Sequence, residues 1–267
     1  MIRDITIGQF YPADSILHKL DPRVKFVGTM VYIISLFVAS SWLVYVLAAV
    51  FLAAVIKLSK VPFKFMVKGL KPIVMILIIT MFFNVIFTPG EPLFSWGIIK
   101  ITKEGIVLAV KMGVRLTFLI MGASVMTLTT TPNQLTDGLE RLMRPLNVIH
   151  IPVHEIAMMM SIALRFIPIL LEETDKIMKA QMARGADFET GGLIQKVKNM
   201  VPLLVPLFVS AFRRANDLAM AMEARCYHGG GGRTQMKPLV YKRRDYVAYG
   251  IMYVYLAVCI VLRVLGF

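Results

Sequence analysis

The chain has 267 residues, of which 57% are hydrophobic, and its mean hydropathy is +0.70. A soluble globular domain does not contain so much apolar sequence, so the composition predicts a polytopic, all-α membrane protein. The 30 Lys and Arg exceed the 16 Asp and Glu, but they flank or follow apolar runs, where they set membrane topology and do not indicate nucleic-acid binding.

Five apolar runs predict helices that span the membrane. The first two cover residues 26–39 and 43–56 and form a predicted helical hairpin, because only a short break separates them. The others cover residues 71–90, 105–129 and 246–265. About four spans are therefore predicted before a long middle region, and one after it.

Basic residues near the ends of these runs predict the orientation of the chain. Cytoplasmic loops carry an excess of Lys and Arg, and the excess lies before the first run and between the second and third. The residues concerned are Arg3, Lys19, Arg23, Lys25, Lys57, Lys60, Lys64, Lys68 and Lys71. We therefore expect the N-terminus and the 57–71 loop in the cytoplasm, and the charge-balanced 89–104 loop outside.

Residues 130–245, which this orientation returns to the cytoplasm, do not resemble an ordinary soluble domain. They contain apolar runs at 156–171 and 201–212 that prolines interrupt. Because internal prolines kink helices, we predict long, kinked, amphipathic helices that lie under the membrane or dip into it, in preference to further spans. The predicted organisation is a membrane part over 1–129, this region, and a last span within 246–267.

Two stretches repeat one pattern, Ala-x-x-Ala-Arg followed by a small residue: KAQMARGADF at 179–188 and MAMEARCYHG at 220–229. An arginine in the last turn of a helix stabilises the negative end of the helix dipole, which explains either arginine alone. Capping does not need the flanking alanines, however, and small residues let another protein approach closely. The pair predicts two helix ends whose guanidinium groups bind carboxylates in two similar grooves of a partner.

Four stretches carry a resemblance to a known family. They are LDPRVKF at 20–26, TLTTTPNQLTDGLERL at 127–142, ALRFIPILLEETDKIMKAQMARG at 163–185 and RRANDLAMAMEARCY at 213–227. In this order they resemble the transmembrane T component of energy-coupling factor (ECF) transporters, which take up vitamins and metals across the plasma membrane of prokaryotes. The resemblance covers nearly the whole chain.

The resemblance implies a non-catalytic subunit whose long cytoplasmic helices couple two ABC-type ATPases to a membrane-embedded substrate-binding protein, the S component. It places ATP and Mg²⁺ on the ATPases and gives this chain no cofactor or metal of its own. The residues that it assigns to ATPase docking are Ala183, Arg184, Gly185, Ala224, Arg225 and Cys226. Cys226 stands where the family has glycine, which predicts a slightly different exit from the second helix.

A methionine-rich apolar stretch is the candidate contact with the S component. Methionine surfaces repack against several partners, which suits a T component shared by many S components. The residues are Met158, Met159, Met160, Ile162, Phe166 and Leu170. Packing between helices explains any single methionine equally well, so both interpretations stay open.

The sequence shows no motif for enzyme chemistry. It has no GxxxxGK[ST] loop for nucleotide phosphates, and GGGGRT at 229–234 reads as a linker. His150 and His154 are a weak metal candidate, because a proline separates them. Lys111 and Arg115 lie one turn apart in the fourth predicted span and could line a polar path through the membrane. We favour the alternative, in which Lys111 extends outward and Arg115 pairs inside the protein.

Alternatives to the shared vitamin transporter stay open. A T component dedicated to cobalt or nickel is the alternative within the family, and a self-contained channel or secondary carrier is the alternative from another class. A membrane enzyme would need catalytic side chains clustered at one depth. Cys226 and Cys259 are too far apart in sequence to indicate a disulfide framework or a zinc site.

Overall fold

The computed structural model describes residues 10–38, 41–96, 99–186, 188, 192–229, 236 and 238–265. Over these residues the chain is almost entirely helical, which confirms the all-α prediction. In chain order the elements are α1 (Pro22–Val38), α2 (Trp42–Ser59), α3 (Phe63–Leu70), α4 (Val74–Phe87), β1 (Pro92–Trp96), β2 (Ile99–Thr102), α5 (Lys103–Thr129), α6 (Pro132–Met143), a 3₁₀ helix (Arg144–Ile149), α7 (Val153–Ala183), α8 (Leu193–Glu223) and α9 (Arg243–Val264). Residues 230–235, which hold most of the predicted linker, lie outside the described residues.

The helices group into two compact units. The first comprises Gly8–Gly138 together with Leu239–Phe267, and the second is built around Leu139–Pro238. The predicted three-part division of the chain refers to the membrane and stays a prediction.

In the first unit α5 is the central helix. It packs against α1, α2, α3 and α4, and α9 packs against α1 and α2. Tyr32 and Tyr255 are buried in the core of this unit, and the ring of the half-buried Phe51 stacks on both of theirs. The hydroxyls of Ser35 and Tyr255 share a buried hydrogen bond of 2.9 Å, so this polar pair is satisfied inside the apolar core.

Four helices of the described chain are long and apolar enough to cross a membrane, namely α2, α5, α7 and α9. They support a multi-pass membrane protein. Helix α1, with 17 residues, and α4, with 14, are shorter than these. By length and composition α7 also meets the requirement for a span, although the sequence favours a helix beneath or partly within the membrane.

Two segments predicted as loops contain regular structure. The 57–71 segment includes α3, an amphipathic helix in which Met66 is fully buried while Phe63 and Phe65 are exposed. The segment between α4 and α5 includes β1 and β2, which pair as an antiparallel hairpin. Both elements are too short to produce a clear periodic signal over a sequence window.

The second unit contains α7 and α8, each 31 residues long. Arg214 Nη2 donates to Glu173 Oε2 at 3.0 Å, and Gln181 Nε2 donates to the C=O of Pro202 at 3.3 Å. The later residue of α7 pairs with the earlier residue of α8, so the two helices run antiparallel.

Both long helices continue through their internal prolines, Pro168 in α7 and Pro202 and Pro206 in α8. Pro206 has no N–H, so the C=O of Pro202 lacks its helical partner. The side chain of Gln181 supplies a donor in its place. The prediction of long helices over these apolar runs is confirmed.

A buried carboxylate joins the starts of α1 and α9. Asp245 is 1% exposed and accepts hydrogen bonds from the backbone N–H of Asp21 at 3.0 Å and of Lys242 at 2.7 Å. Its negative charge also lies in the first turn of α9, where the helix dipole stabilises it. One side chain thus connects the first and last helices of the unit.

The charged residues of LDPRVKF are bound inside the same unit. Arg23 forms an ion pair of 2.7 Å with Asp21 and lies 3.8 Å above the ring of Tyr241, and Lys25 Nζ donates to the C=O of Thr129 at 2.8 Å. Burial by itself raises the pKa of Asp21, but hydrogen bonds from the side chain and N–H of Arg23, with the charges of Arg23 and Lys25, hold that pKa below its ordinary value. This stretch therefore links α1 to α5 and α9.

We predict that Asp245→Ala lowers the free energy of unfolding by about 1–3 kcal/mol, because two backbone N–H donors lose their acceptor. Thermal unfolding in detergent, followed by circular dichroism, measures the change. Asp14→Ala is the matched control, since the side chain of Asp14 is 95% exposed and its pair with Lys19 lies on the surface. Equal losses in the two variants would contradict the role assigned to Asp245.

Candidate functional site

Helix α7 ends in a hydrogen-bonded loop that carries Arg184. The N–H of Gly185 donates to the C=O of Met182 at 2.9 Å, and the N–H of Ala186 donates to the C=O of Gln181 at 3.0 Å. These bonds form a Schellman motif, which satisfies carbonyls that a helix end leaves without partners. Gly185 has a φ of +88°, the left-handed conformation that the motif requires. The arginine is therefore held at a fixed turn of the backbone.

Helix α8 ends in the same kind of loop, which carries Arg225. The N–H of Cys226 donates to the C=O of Glu223 at 2.8 Å, and the N–H of Tyr227 donates to the C=O of Met222 at 3.1 Å. Counted from the arginine, these bonds join the same positions as those at the end of α7. The two repeats thus present their arginines from the same backbone geometry.

The residue that follows each arginine is glycine in one repeat and cysteine in the other, but both adopt the left-handed backbone conformation. Cys226 has a φ of +54° and Gly185 a φ of +88°, both left-handed. A Cβ added at Gly185 would meet no atom within 4 Å, so only backbone conformation restricts that position. The predicted difference between the two exits is limited to the value of φ, because their hydrogen bonds are the same.

Both guanidinium groups are accessible to another protein. Arg184 and Arg225 are exposed, as are Ala183 and Ala224 beside them. Within the described part of the chain neither arginine forms an ion pair. An exposed guanidinium beside a small side chain leaves room for a carboxylate that accepts two parallel hydrogen bonds.

The two arginines lie far apart within this unit. Gln181, near the end of α7, bonds to Pro202 of α8. Helix α8 continues from there to Arg225, which at 1.5 Å per residue is a distance of about 35 Å. A single small groove cannot contact both arginines, so a partner that bound both would need a separate surface for each.

The methionine-rich stretch of α7 divides into exposed and half-buried positions. Met159 and Met160 are 58% and 43% exposed. The other predicted contact residues repeat every four positions and are half-buried: Met158, Ile162, Phe166 and Leu170. Met159 and Met160 are therefore more accessible to a partner than the other four residues of this set.

Helix α8 exposes an apolar row that is not among the predicted contact residues. Its members follow the spacing of one helix face, and each is between 50% and 69% exposed: Val201, Val205, Phe208 and Phe212. We refer to these four residues as the α8 row. Their spacing is visible in VPLLVPLFVSAF, although the two prolines in that run obscure the helix. A contiguous exposed apolar row marks a contact with a protein or with lipid.

The remaining candidates take part in contacts within the protein. His154 Nδ1 is hydrogen-bonded to Glu140 Oε1 at 2.9 Å. Arg115 Nε donates to Tyr45 Oη at 3.0 Å, which confirms its predicted pairing inside the protein. Within the described ranges no three His, Cys, Asp or Glu side chains are grouped as a metal site.

Comparison with known proteins gives one consistent result. Residues 13–238 match the model of the family described as CbiQ, Cobalt transport protein. Curated relatives carry the name energy-coupling factor transporter transmembrane protein EcfT. The chain is 56% identical to the one from Clostridium kluyveri over 250 residues, or 93% of each chain. It is 51% identical to that of Ruminiclostridium cellulolyticum over 267 residues, the whole of both chains, and 48% identical to that of Bacillus subtilis over 246 residues, 92% of this chain and 93% of the relative.

We predict that Gly185→Ala loosens the end of α7 by about 1 kcal/mol, because alanine is strained in the left-handed conformation. Hydrogen–deuterium exchange at the amides of residues 185 and 186 should become about fivefold faster. Cys226→Ala is the matched control, since it exchanges one non-glycine residue for another in the equivalent loop. Unchanged exchange in Gly185→Ala would mean that the left-handed turn does not determine the stability of this loop.

Proposed function

This chain belongs to the family of transmembrane components of energy-coupling factor transporters, and we propose that it couples ATP binding and hydrolysis in two ABC-type ATPases to a substrate-binding S component. In this proposal the ATPases hold ATP and Mg²⁺, and the S component holds the vitamin or other micronutrient. The chain makes the mechanical connection between them.

The observation that carries the proposal is the pair of arginines presented from one type of hydrogen-bonded loop. Both arginines are exposed, and about 35 Å of α8 separates Arg225 from Pro202, where the last turn of α7 before Arg184 contacts α8. Two equivalent cationic tips at that separation match two similar partner subunits, each with its own groove and carboxylate. A single partner site would explain one such loop but not its repetition at the end of the second helix.

The contacts between α7 and α8 support the transmission of movement. The Glu173–Arg214 ion pair and the Gln181–Pro202 hydrogen bond connect the helices at separate points. A displacement at either tip is therefore passed to both helices. In the proposed cycle ATP binding draws the ATPases together, and their grooves move the two arginines with them.

The exposed apolar side chains of the two helices form the proposed contact with the S component. On α7 these are Met159 and Met160, and on α8 they are the four residues of the α8 row. Methionine supplies adaptability for different S components, and the Val and Phe side chains supply apolar area. Movement of α7 and α8 thus reorients the S component.

The substrate depends on the S component, so the relatives' names leave it open. The family description names cobalt, which favours a T component dedicated to cobalt or nickel as the second candidate. A shared T component supports uptake with several S components, whereas a dedicated one supports uptake with one. Transport by this chain alone in vesicles would instead indicate a channel or secondary carrier.

We predict that Arg184→Glu combined with Arg225→Glu abolishes substrate uptake, because each change places a negative charge against the carboxylate of an ATPase groove. Each single variant should lower co-purification of the ATPases by about tenfold or more, the loss expected for a central interface arginine. Uptake of labelled substrate in cells and affinity purification of the complex measure the two effects.

Arg213→Glu is the matched control for these variants. Arg213 is an exposed cation of α8 that lies away from the helix end, so its reversal should leave uptake and ATPase binding close to the wild type. Full uptake by the double variant, with normal membrane insertion, would refute the docking role.

A second prediction separates the two partners. Val205→Asp combined with Phe208→Asp should reduce co-purification of the S component by about tenfold or more while both ATPases stay bound, because carboxylates cannot be buried in an apolar contact. Arg213→Glu again serves as control, since it adds negative charge to α8 outside the α8 row. Undiminished binding of the S component would show that the α8 row contacts lipid instead.

A further inference from the structure

A cavity of about 430 Å³ lies inside the first unit, between α1, α2, α5 and α9. Ile16, Leu17 and Leu20, which precede α1, line one side of it. On α1 the lining extends from Val24 to Tyr32, which is about 12 Å along the helix axis. The cavity is therefore a slot two helical turns long, with a volume in the range of small-ligand sites.

The walls of this slot are almost entirely apolar. The lining includes three hydroxyls, and those of Thr29 and Thr129 donate to the C=O groups of Lys25 and Val125 in their own helices, at 2.9 Å and 2.8 Å. The third, that of Tyr32, is buried without a hydrogen-bond partner among the described residues, so at most one hydroxyl is left for a ligand. Polar small molecules and peptides are oriented by several directed hydrogen bonds. The slot suits a hydrocarbon chain better than either of them.

One end of the slot carries positive charge. Lys25 is 8% exposed, and two of the three N–H groups of its ammonium donate to the C=O groups of Thr129 at 2.8 Å and His18 at 3.3 Å. Arg244 lines the same cavity and is exposed, and no ion pair of its guanidinium occurs within the described ranges. Lys25 and Arg244 lie in the first turns of α1 and α9, so both are at one end of the slot.

The carboxylates near this end are already engaged. Asp21 forms its ion pair with Arg23, and Asp245 accepts two backbone hydrogen bonds at the start of α9. With three cations and two carboxylates at this end, the positive charge is in surplus. The third N–H of Lys25 and the guanidinium of Arg244 are both available to an anionic group.

We propose that the slot binds one anionic phospholipid of the surrounding membrane, with an acyl chain between the four helices and the phosphate at Lys25 and Arg244. The apolar walls match the acyl chain, and the two cations match the phosphate of the headgroup. The site uses none of the residues assigned to ATPase or S-component binding, so it stands independently of the proposed transport function.

Native mass spectrometry of the full chain in mild detergent tests this proposal. The delipidated protein is incubated with equal amounts of phosphatidylglycerol, phosphatidylcholine and palmitate. We expect one phosphatidylglycerol per chain, retained about fivefold or more over phosphatidylcholine. Arg244→Gln should remove this preference, whereas Arg243→Gln should keep it, because Arg243 is an exposed neighbouring cation outside the lining of the slot.

Filling the slot provides the second arm of the experiment. Ala248→Trp places an indole between the helices and should abolish retention of phosphatidylglycerol, and Ala54→Trp fills the slot from α2 if the first variant does not fold, as thermal melting reports. For the wild-type protein, the proposal is overturned if no lipid is retained, if the two phospholipids are retained equally, or if palmitate is preferred. It is also overturned if a folded tryptophan variant retains as much phosphatidylglycerol as the wild type.

Discussion

Both units of this protein depend on how the ends of their helices satisfy backbone groups that have no partner within the helix. At the start of α9, Asp245 accepts two N–H groups, and at the end of α5, Lys25 donates to the C=O of Thr129. At the ends of α7 and α8 the backbone turns back on itself through a left-handed residue. At these two ends in the first unit side chains join neighbouring helices, whereas at the two repeats of the second unit the backbone closes the helix end and leaves the arginine accessible.

This difference separates cations that look alike in the sequence. Arg23 and Lys25 contribute to the count of basic residues that predicts topology, yet they bind Asp21, Tyr241 and a helix carbonyl inside the protein. The arginines of the two repeats, by contrast, keep their guanidinium groups exposed. The acceptors within a cation's own unit determine how many of its donors are left for a partner, and sequence alone does not reveal that number.

The longer helices could be predicted because a membrane protein satisfies its backbone within each helix, so a long apolar run has few alternatives. Helices α2, α5 and α9 follow the predicted runs, and Ala-x-x-Ala-Arg indicated both tips. Helix α3 and the β1–β2 hairpin were not predictable, since each has too few residues to establish a period. The loop at Cys226 was not predictable either, because cysteine gives no signal for a positive φ. The spacing of the α8 row is visible in the sequence, but the two prolines in the same run argue against a continuous helix there.

Those prolines lie where stiffness matters most for the proposed coupling. Pro206 has no N–H to donate to the C=O of Pro202, so α8 lacks this one backbone hydrogen bond in its interior. Gln181 restores a bond to that carbonyl, and it belongs to the last turn of α7, next to Arg184. Bending α8 at this point requires breaking a contact with the helix that carries the other arginine. The last turn of α7 thus stabilises α8 at the position of the missing hydrogen bond. In the proposed coupling, a movement of Arg184 therefore acts directly on α8 at the position where α8 would otherwise bend.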